Sequence, residues 1–284
     1  MNLMKPKTYQ LSFGVVAYLI LTAMCCTAQS GSLQVPMNVD AKKLAPNFVG
    51  HDAVQIYKGT FGHSVSKGKY ETTPQYETRK RKAWMKPLFG KVYMWSPIAF
   101  DLPSNWCDYN ADTKKFRAHF MLIKTAQVSG NNYNSSKEVL NGITAGWLEN
   151  RGSYNAQNAF GAKVRVDTIV KERYGFQVTN WKNFPFVQFR DGDYRVTCDL
   201  KVAPAAARRL ENDIRVLYVG YLTTPYRAQN AYYSPATYDS PSSDTFSYHF
   251  VCFRLKSIWF YDGVTGFIYG KMSPQPEKKQ LDNH

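Results

Sequence analysis

Apolar and polar residues alternate along much of the second half of this chain. The pattern runs through "FGAKVRVDTIV" at 160–170, "YGFQVTNW" at 174–181, "FPFVQF" at 184–189 and "YRVTCDLKV" at 194–202. An extended backbone sends successive side chains to opposite faces, so this alternation predicts half-buried strands. Lys171-Glu172-Arg173 reads as a turn between the first two, and the set reads as an antiparallel meander. "IRVLYVGYLTT" predicts a further strand. "SYHFVCFRLKSIWFYDGVTGFIYGKM" predicts a terminal hairpin whose Asp262-Gly263-Val264-Thr265-Gly266 turn has glycine available for positive φ. In the first half, "KVYMWSPIAF" and "KKFRAHFMLI" carry the aromatic and branched residues of strands.

Helical signals are fewer. Thr73 can cap a helix with Pro74 at its first position and Pro87 closing it, and Pro204 opens the alanine-rich "PAAARRLENDI". The pattern therefore predicts an α+β fold, mainly antiparallel β sheet with two or so short helices.

Composition shifts divide the chain further. Residues 29–50 lack periodicity and read as a loose arm, and 51–125 as a subdomain of one helix and a β-hairpin. The polar stretch 126–158 is longer than an ordinary connection and reads as a seam. Residues 159–272 form the β-rich part, and the charged tail 273–284 is expected to fray.

The beginning predicts the compartment. Lys5 and Lys7 precede an apolar run from Leu11 to Met24, which ends in Cys26-Thr27-Ala28. That is the pattern of a signal peptide cleaved after Ala28, predicting an exported chain, periplasmic or secreted. A lipid anchor on Cys25 or Cys26 is the weaker alternative, because Met24 or Cys25 stands where a small residue normally precedes the modified cysteine. No second apolar stretch approaches the length of a membrane span, so the mature chain is expected to have none.

Charge narrows the partners. Thirty-six Lys and Arg against 21 Asp and Glu give a formal charge of +15. Such a surplus governs association rather than fold, and in an exported chain it favours an anionic component of the cell envelope. Nucleic acid is disfavoured, because export removes the usual targets. Arg79, Arg81, Lys82 and Lys86 crowd the predicted helix, whose inner face would hold Tyr76, Lys80, Ala83 and Trp84, with Glu77 pairing Arg81. Those cations are either a grip for an anion or a solvated helix face, and the solvated face explains them more simply. Tyr226, Tyr232, Tyr233 and Tyr238 fall in a polar stretch read as a long loop, where their rings either contact a ligand or pin the loop.

Catalytic and metal signatures are weak. Gly62-His63-Ser64-Val65-Ser66 lacks the last glycine of a nucleophile elbow, and His51 and His63 have no metal-ligand spacing. Asp108-Tyr109-Asn110-Ala111-Asp112 imitates a calcium loop, yet Thr113 replaces the turn glycine and His119 the bidentate glutamate, so a turn explains it better. Asp191-Gly192-Asp193 also reads as a turn. No cofactor or metal is predicted. Of Cys107, Cys198 and Cys252, Cys198 and Cys252 lie in strand-like segments that a disulfide could join; buried thiols are the simpler reading.

Four segments, "YETTPQYETR", "GSYNAQNAFGAKVRV", "DIRVLYVGYLTTPY" and "IWFYDGVTGFIYGK", resemble a loosely defined group of exported bacterial envelope proteins of unknown function. In that group an E-T-T-x-x-[YF]-x-x-R helix precedes a β-rich region with an N-A-F-G strand start and a terminal T-G hairpin. The resemblance implies envelope residence and a mainly β build, and it brings no site residues. The sequence reading is therefore a non-enzymatic binding or structural module for an anionic envelope component. The alternative is an envelope hydrolase whose site is assembled from distant residues, with His63 or His249 beside an aspartate.

Overall fold

Ten strands and three α-helices are present among the residues that the computed structural model describes, which are 31–63, 65–122, 142–157, 161, 163–190 and 193–275. The larger sheet runs in the order β1 (Ile98–Pro103), β8 (Ile214–Ser234), β9 (Ser242–Asp262), β5 (Lys163–Val178) and β4 (Gly142–Gln157), and β10 (Ile268–Met272) also pairs with β9. A four-stranded sheet follows the order β2 (Trp106–Asn110), β3 (Lys115–Leu122), β7 (Asp193–Lys201) and β6 (Val187–Arg190). Every pairing is antiparallel except β5 with β9. The fold is thus α+β, mostly antiparallel sheet with short helices.

The core is aromatic and lies between the sheets. Phe100 of β1 stacks on Phe176 of β5 at 4.5 Å and meets Phe253 of β9 edge-on at 5.5 Å. Phe120 of β3 reaches Phe260 of β9 at 5.5 Å, which ties the smaller sheet to the larger. Burying rings of this size stabilises by roughly 1.5–3 kcal/mol each.

Helix α1 (Ala53–Gly59) was too short for its period to be read. Asp52 caps it by accepting from the Val54 amide at 2.7 Å, and Ala53, Ile56 and Tyr57 enter the core. Helix α2 (Thr73–Trp84) starts one residue earlier than expected. Thr72 is the cap, in a reciprocal box with Gln75, and Pro74 lies in the first turn. Helix α3 (Pro204–Asp213) buries Ala207 and Leu210.

Several expectations are corrected. The arm is not loose from Leu33 onward: Met37 and Leu44 are buried with Trp259 and Tyr261, and the Leu44 amide donates to the Gly266 carbonyl at 2.9 Å. Its apolar residues are spaced for a docked strap, so they show no helix or strand period. Ser32–His284 is one compact unit, and part of the expected seam, 142–157, is the strand β4. Lys171-Glu172-Arg173 is no turn but the middle of β5, and β5 pairs with β4 and β9, so the expected meander is absent there. The expected tyrosine loop is also mostly strand, since β8 continues to Ser234 and β9 begins at Ser242. The signal peptide with Cys25 and Cys26, Ser64, Asp191-Gly192 and the tail from 276 lie outside the described residues.

Candidate functional site

Strands β4, β5, β8 and β9 run past the core. Their inner ends are buried, whereas from Trp147 to Gln157 β4 is exposed at almost every position. Pairing there is regular. Trp147 faces Arg173, which faces Tyr248; Glu149 faces Lys171, which faces Phe246, and Phe246 in turn faces Tyr232. Directly opposed residues share a face, so these side chains form rows on one surface of the extension.

Cations and rings interleave in those rows. The Lys171 ammonium lies 5.2 Å from the Phe246 ring centroid and the Arg173 guanidinium 5.7 Å from that of Tyr248. Tyr232 and Phe246 are 6.3 Å apart. Trp147 is 70% exposed and Tyr232 39%. Acids are present too, but Glu149 is held by Arg151 at 2.7 Å, and no ion pair takes up Lys171 or Arg173 among the described residues. The surface offers flat π faces beside positive charge, an arrangement that suits anionic groups on a flat or ring-bearing ligand.

The predicted site residues separate. In α2, Arg79 is committed, with Nε and Nη2 donating to Glu71 at 2.9 and 2.6 Å and Nη2 also to the Ser66 carbonyl at 2.8 Å. This pairing draws the Glu71 carboxyl down to about 2. Glu77 lies 4.0 Å from Lys80 rather than pairing with Arg81. Arg81, Lys82 and Lys86 remain exposed and hold no ion pair among the described residues. Only Ala83 of the helix is buried, and Trp84 and Tyr76 are half-buried. Of the tyrosines, Tyr226 packs on Trp84 and the core, Tyr232 joins the aromatic rows, Tyr233 faces Thr245 on the opposite surface, and Tyr238 lies in the turn beyond β8, 71% exposed.

Histidine geometry speaks against the two positions expected of a hydrolase. Both His63 ring nitrogens lie 2.9 Å from backbone carbonyls, those of Gly59 and Lys86, so the ring ties the end of α1 to the turn that follows α2. Among the described residues His249 meets no aspartate; its Nδ1 lies 3.3 Å from the Tyr57 hydroxyl and its ring stacks on Tyr174. Burial lowers the His249 pKa, and burial with the Glu172 contact pushes the Tyr174 hydroxyl up to about 12. The imidazole that does meet an aspartate is His119, whose Nε2 lies 2.8 Å from Asp108 beneath the stacked Trp106 ring. Its Nδ1 is buried without a hydrogen-bond partner. Asp108 and His119 do not share a calcium loop: the Asn110 side chain accepts from the Thr113 amide at 2.9 Å in a hairpin turn, and the two residues are cross-strand neighbours.

No disulfide joins Cys198 and Cys252, which lie in different sheets. Burial pushes the Cys198 thiol up to about 12, consistent with a core residue. Among the described residues, no group of three or more His, Cys, Asp or Glu side chains is placed to hold a metal, and no helix is long and apolar enough to cross a membrane.

The sequence does not show the rows directly, because Lys171 and Arg173 fall where it reads as a turn and Tyr232 where it reads as a loop. A signal was present: Lys163, Arg165, Lys171 and Arg173 all fall on odd positions of one segment, and Phe246, Tyr248 and Phe250 keep the same period in another. Comparison with protein-family models, curated proteins and solved structures finds no match.

Proposed function

We propose that this chain is an exported, non-enzymatic binding module, periplasmic or secreted after cleavage near Ala28, that holds an anionic polymer of the cell envelope. The contact surface in this reading is the sheet extension with Trp147, Lys171, Arg173, Tyr232, Phe246 and Tyr248. One observation carries it: two cations without an ion pair among the described residues lie over aromatic rings in register, on a surface flanked by exposed Trp147 and Tyr232. Rings contribute stacking area, and arginine can form paired hydrogen bonds to carboxylate or phosphate.

The α2 cations are secondary in this account. Arg79 is already paired, and the exposed Arg81, Lys82 and Lys86 have no interleaved ring system of comparable extent. Envelope residence also agrees with the group that the four sequence segments resemble.

Calorimetric titration with a uronic-acid polysaccharide, and with neutral dextran as control, tests the reading. The acidic polymer is expected to bind at low salt and weaken as the Debye length shrinks from about 30 Å at 0.01 M to about 10 Å at 0.1 M. Equal binding of both polymers, or binding unaffected by salt, would count against it.

A further inference from the structure

Strand β4 ends the larger sheet, and among the described residues it pairs only with β5. Along Trp147–Gln157 its side chains are exposed on both faces. A sheet edge of this length presents backbone amides and carbonyls that can template another strand. From this edge we infer that two copies of the chain pair through β4, antiparallel about Asn150, joining their larger sheets.

The register follows from geometry and charge. Alternate residues of β4 already direct their amide groups toward β5, so only the remaining residues can bond across the edge. A two-fold antiparallel pair must therefore match odd with odd and even with even positions, and its axis must pass beside a residue. Centred on Asn150, Glu149 of each copy faces Arg151 of the other. In the same register Leu148 faces Gly152, Tyr154 faces Gly146, and Trp147 faces Ser153. Both charges meet their opposites, and both glycines receive a large side chain.

Neighbouring registers lose this. Centring on Glu149 or Arg151 sets that charge against itself, and centring on Leu148 or Gly152 leaves neither charge an opposite partner. Like charges directly opposed destabilise a strand pair, whereas opposite charges stabilise it. The β-bulge between Thr144 and Gly146 bounds the pairing segment on its inner side.

Such a dimer places the aromatic and cationic rows of both copies on one side of a continuous sheet, with Trp147 of each near the seam. The inference stands on the β4 edge alone and does not depend on the ligand.

Site-directed cross-linking in the full chain carrying Cys25→Ser, Cys26→Ser and Cys107→Ser, which leaves only the buried Cys198 and Cys252, reads the register. At Asn150 the paired Cα atoms would be about 4.5–5.5 Å apart, inside the range of about 4.4–6.8 Å that a disulfide spans. At Ser153 the offset of six residues separates them by about 20 Å. Asn150→Cys is expected to give a covalent dimer on mild oxidation, and Ser153→Cys is not. Sedimentation equilibrium is expected to show a concentration-dependent dimer, lost in Glu149→Arg or Arg151→Glu and restored when both are combined. Circular dichroism confirms that each variant is folded. A monomer at every concentration, cross-linking at Ser153 as strong as at Asn150, or no effect of the single reversals would overturn the inference.

Discussion

The Trp84 indole meets the Tyr226 ring edge-on, with centroids 5.9 Å apart, and so fastens the last turn of α2 to β8 where that strand leaves the core. Both rings pack against the main core cluster, and both are only half-buried.

Trp84→Ala is therefore expected to destabilise the fold by about 2 kcal/mol, below the roughly 3–5 kcal/mol lost when a fully buried ring is removed. Tyr226→Ala should lose part of the same interaction, so the double variant should cost less than the sum. Urea denaturation of the four proteins in the cycle measures this.

Much of the β build was legible in the sequence because the inner halves of the strands are dense in branched and aromatic residues, which in β8 and β9 are buried on both faces. Their outer halves were not. Beyond Tyr226 in β8, and before Phe246 in β9, Ser243 is the one buried position and all side chains but those of Ala228 and Ala231 carry a polar group, so no apolar period marks the strand while backbone pairing continues. Pro225 reads as a break, yet it lies within the register shift between Leu222 and Arg227. The His119–Asp108 contact required the hairpin register, which pairs Trp106 with His119 and Asp108 with Arg117. The α2 cations were legible as a charge cluster, but no local pattern revealed that Glu71 takes Arg79.

Asp101 joins three segments. Its carboxylate accepts from the Gly50 amide at 2.7 Å and from Arg215 Nε at 2.9 Å, linking the N-terminal strap to β1 and β8. Asp101→Ala leaves a half-buried guanidinium and a backbone amide without their acceptor, an expected cost of about 3 kcal/mol. Asp101→Asn should cost less, because it keeps an acceptor oxygen. Chemical denaturation of the two variants checks the order.

His51 gives the fold a sensitivity to acid. Its Nδ1 accepts from the Ala99 amide at 2.9 Å and its Nε2 lies 3.0 Å from the Val35 carbonyl, which fits a neutral ring. Burial lowers its pKa below the ordinary 6.5, and the Val35 and Ala99 carbonyls oppose that only in part. The unfolded chain thus takes up a proton near 6.5 that the folded chain refuses. This contribution to stability is complete above that pH and is lost as pH falls through the lowered folded value. His51→Asn, whose Oδ1 can accept the Ala99 amide without titrating, should flatten the decline that sets in as pH falls below about 6.5. An unchanged slope of unfolding free energy against pH would count against this.

The most direct test of the account compares two variants for binding to the uronic-acid polysaccharide at low salt. One is Lys171→Gln with Arg173→Gln on the sheet extension, and the other is Arg81→Gln with Lys82→Gln and Lys86→Gln on α2. The first is expected to weaken binding by at least about tenfold, equivalent to roughly 1.4 kcal/mol. The second removes more charge and should change affinity by about threefold or less, in line with exposed charges that lack an organised partner surface. Loss of binding in the α2 variant with the sheet variant unaffected would contradict the account.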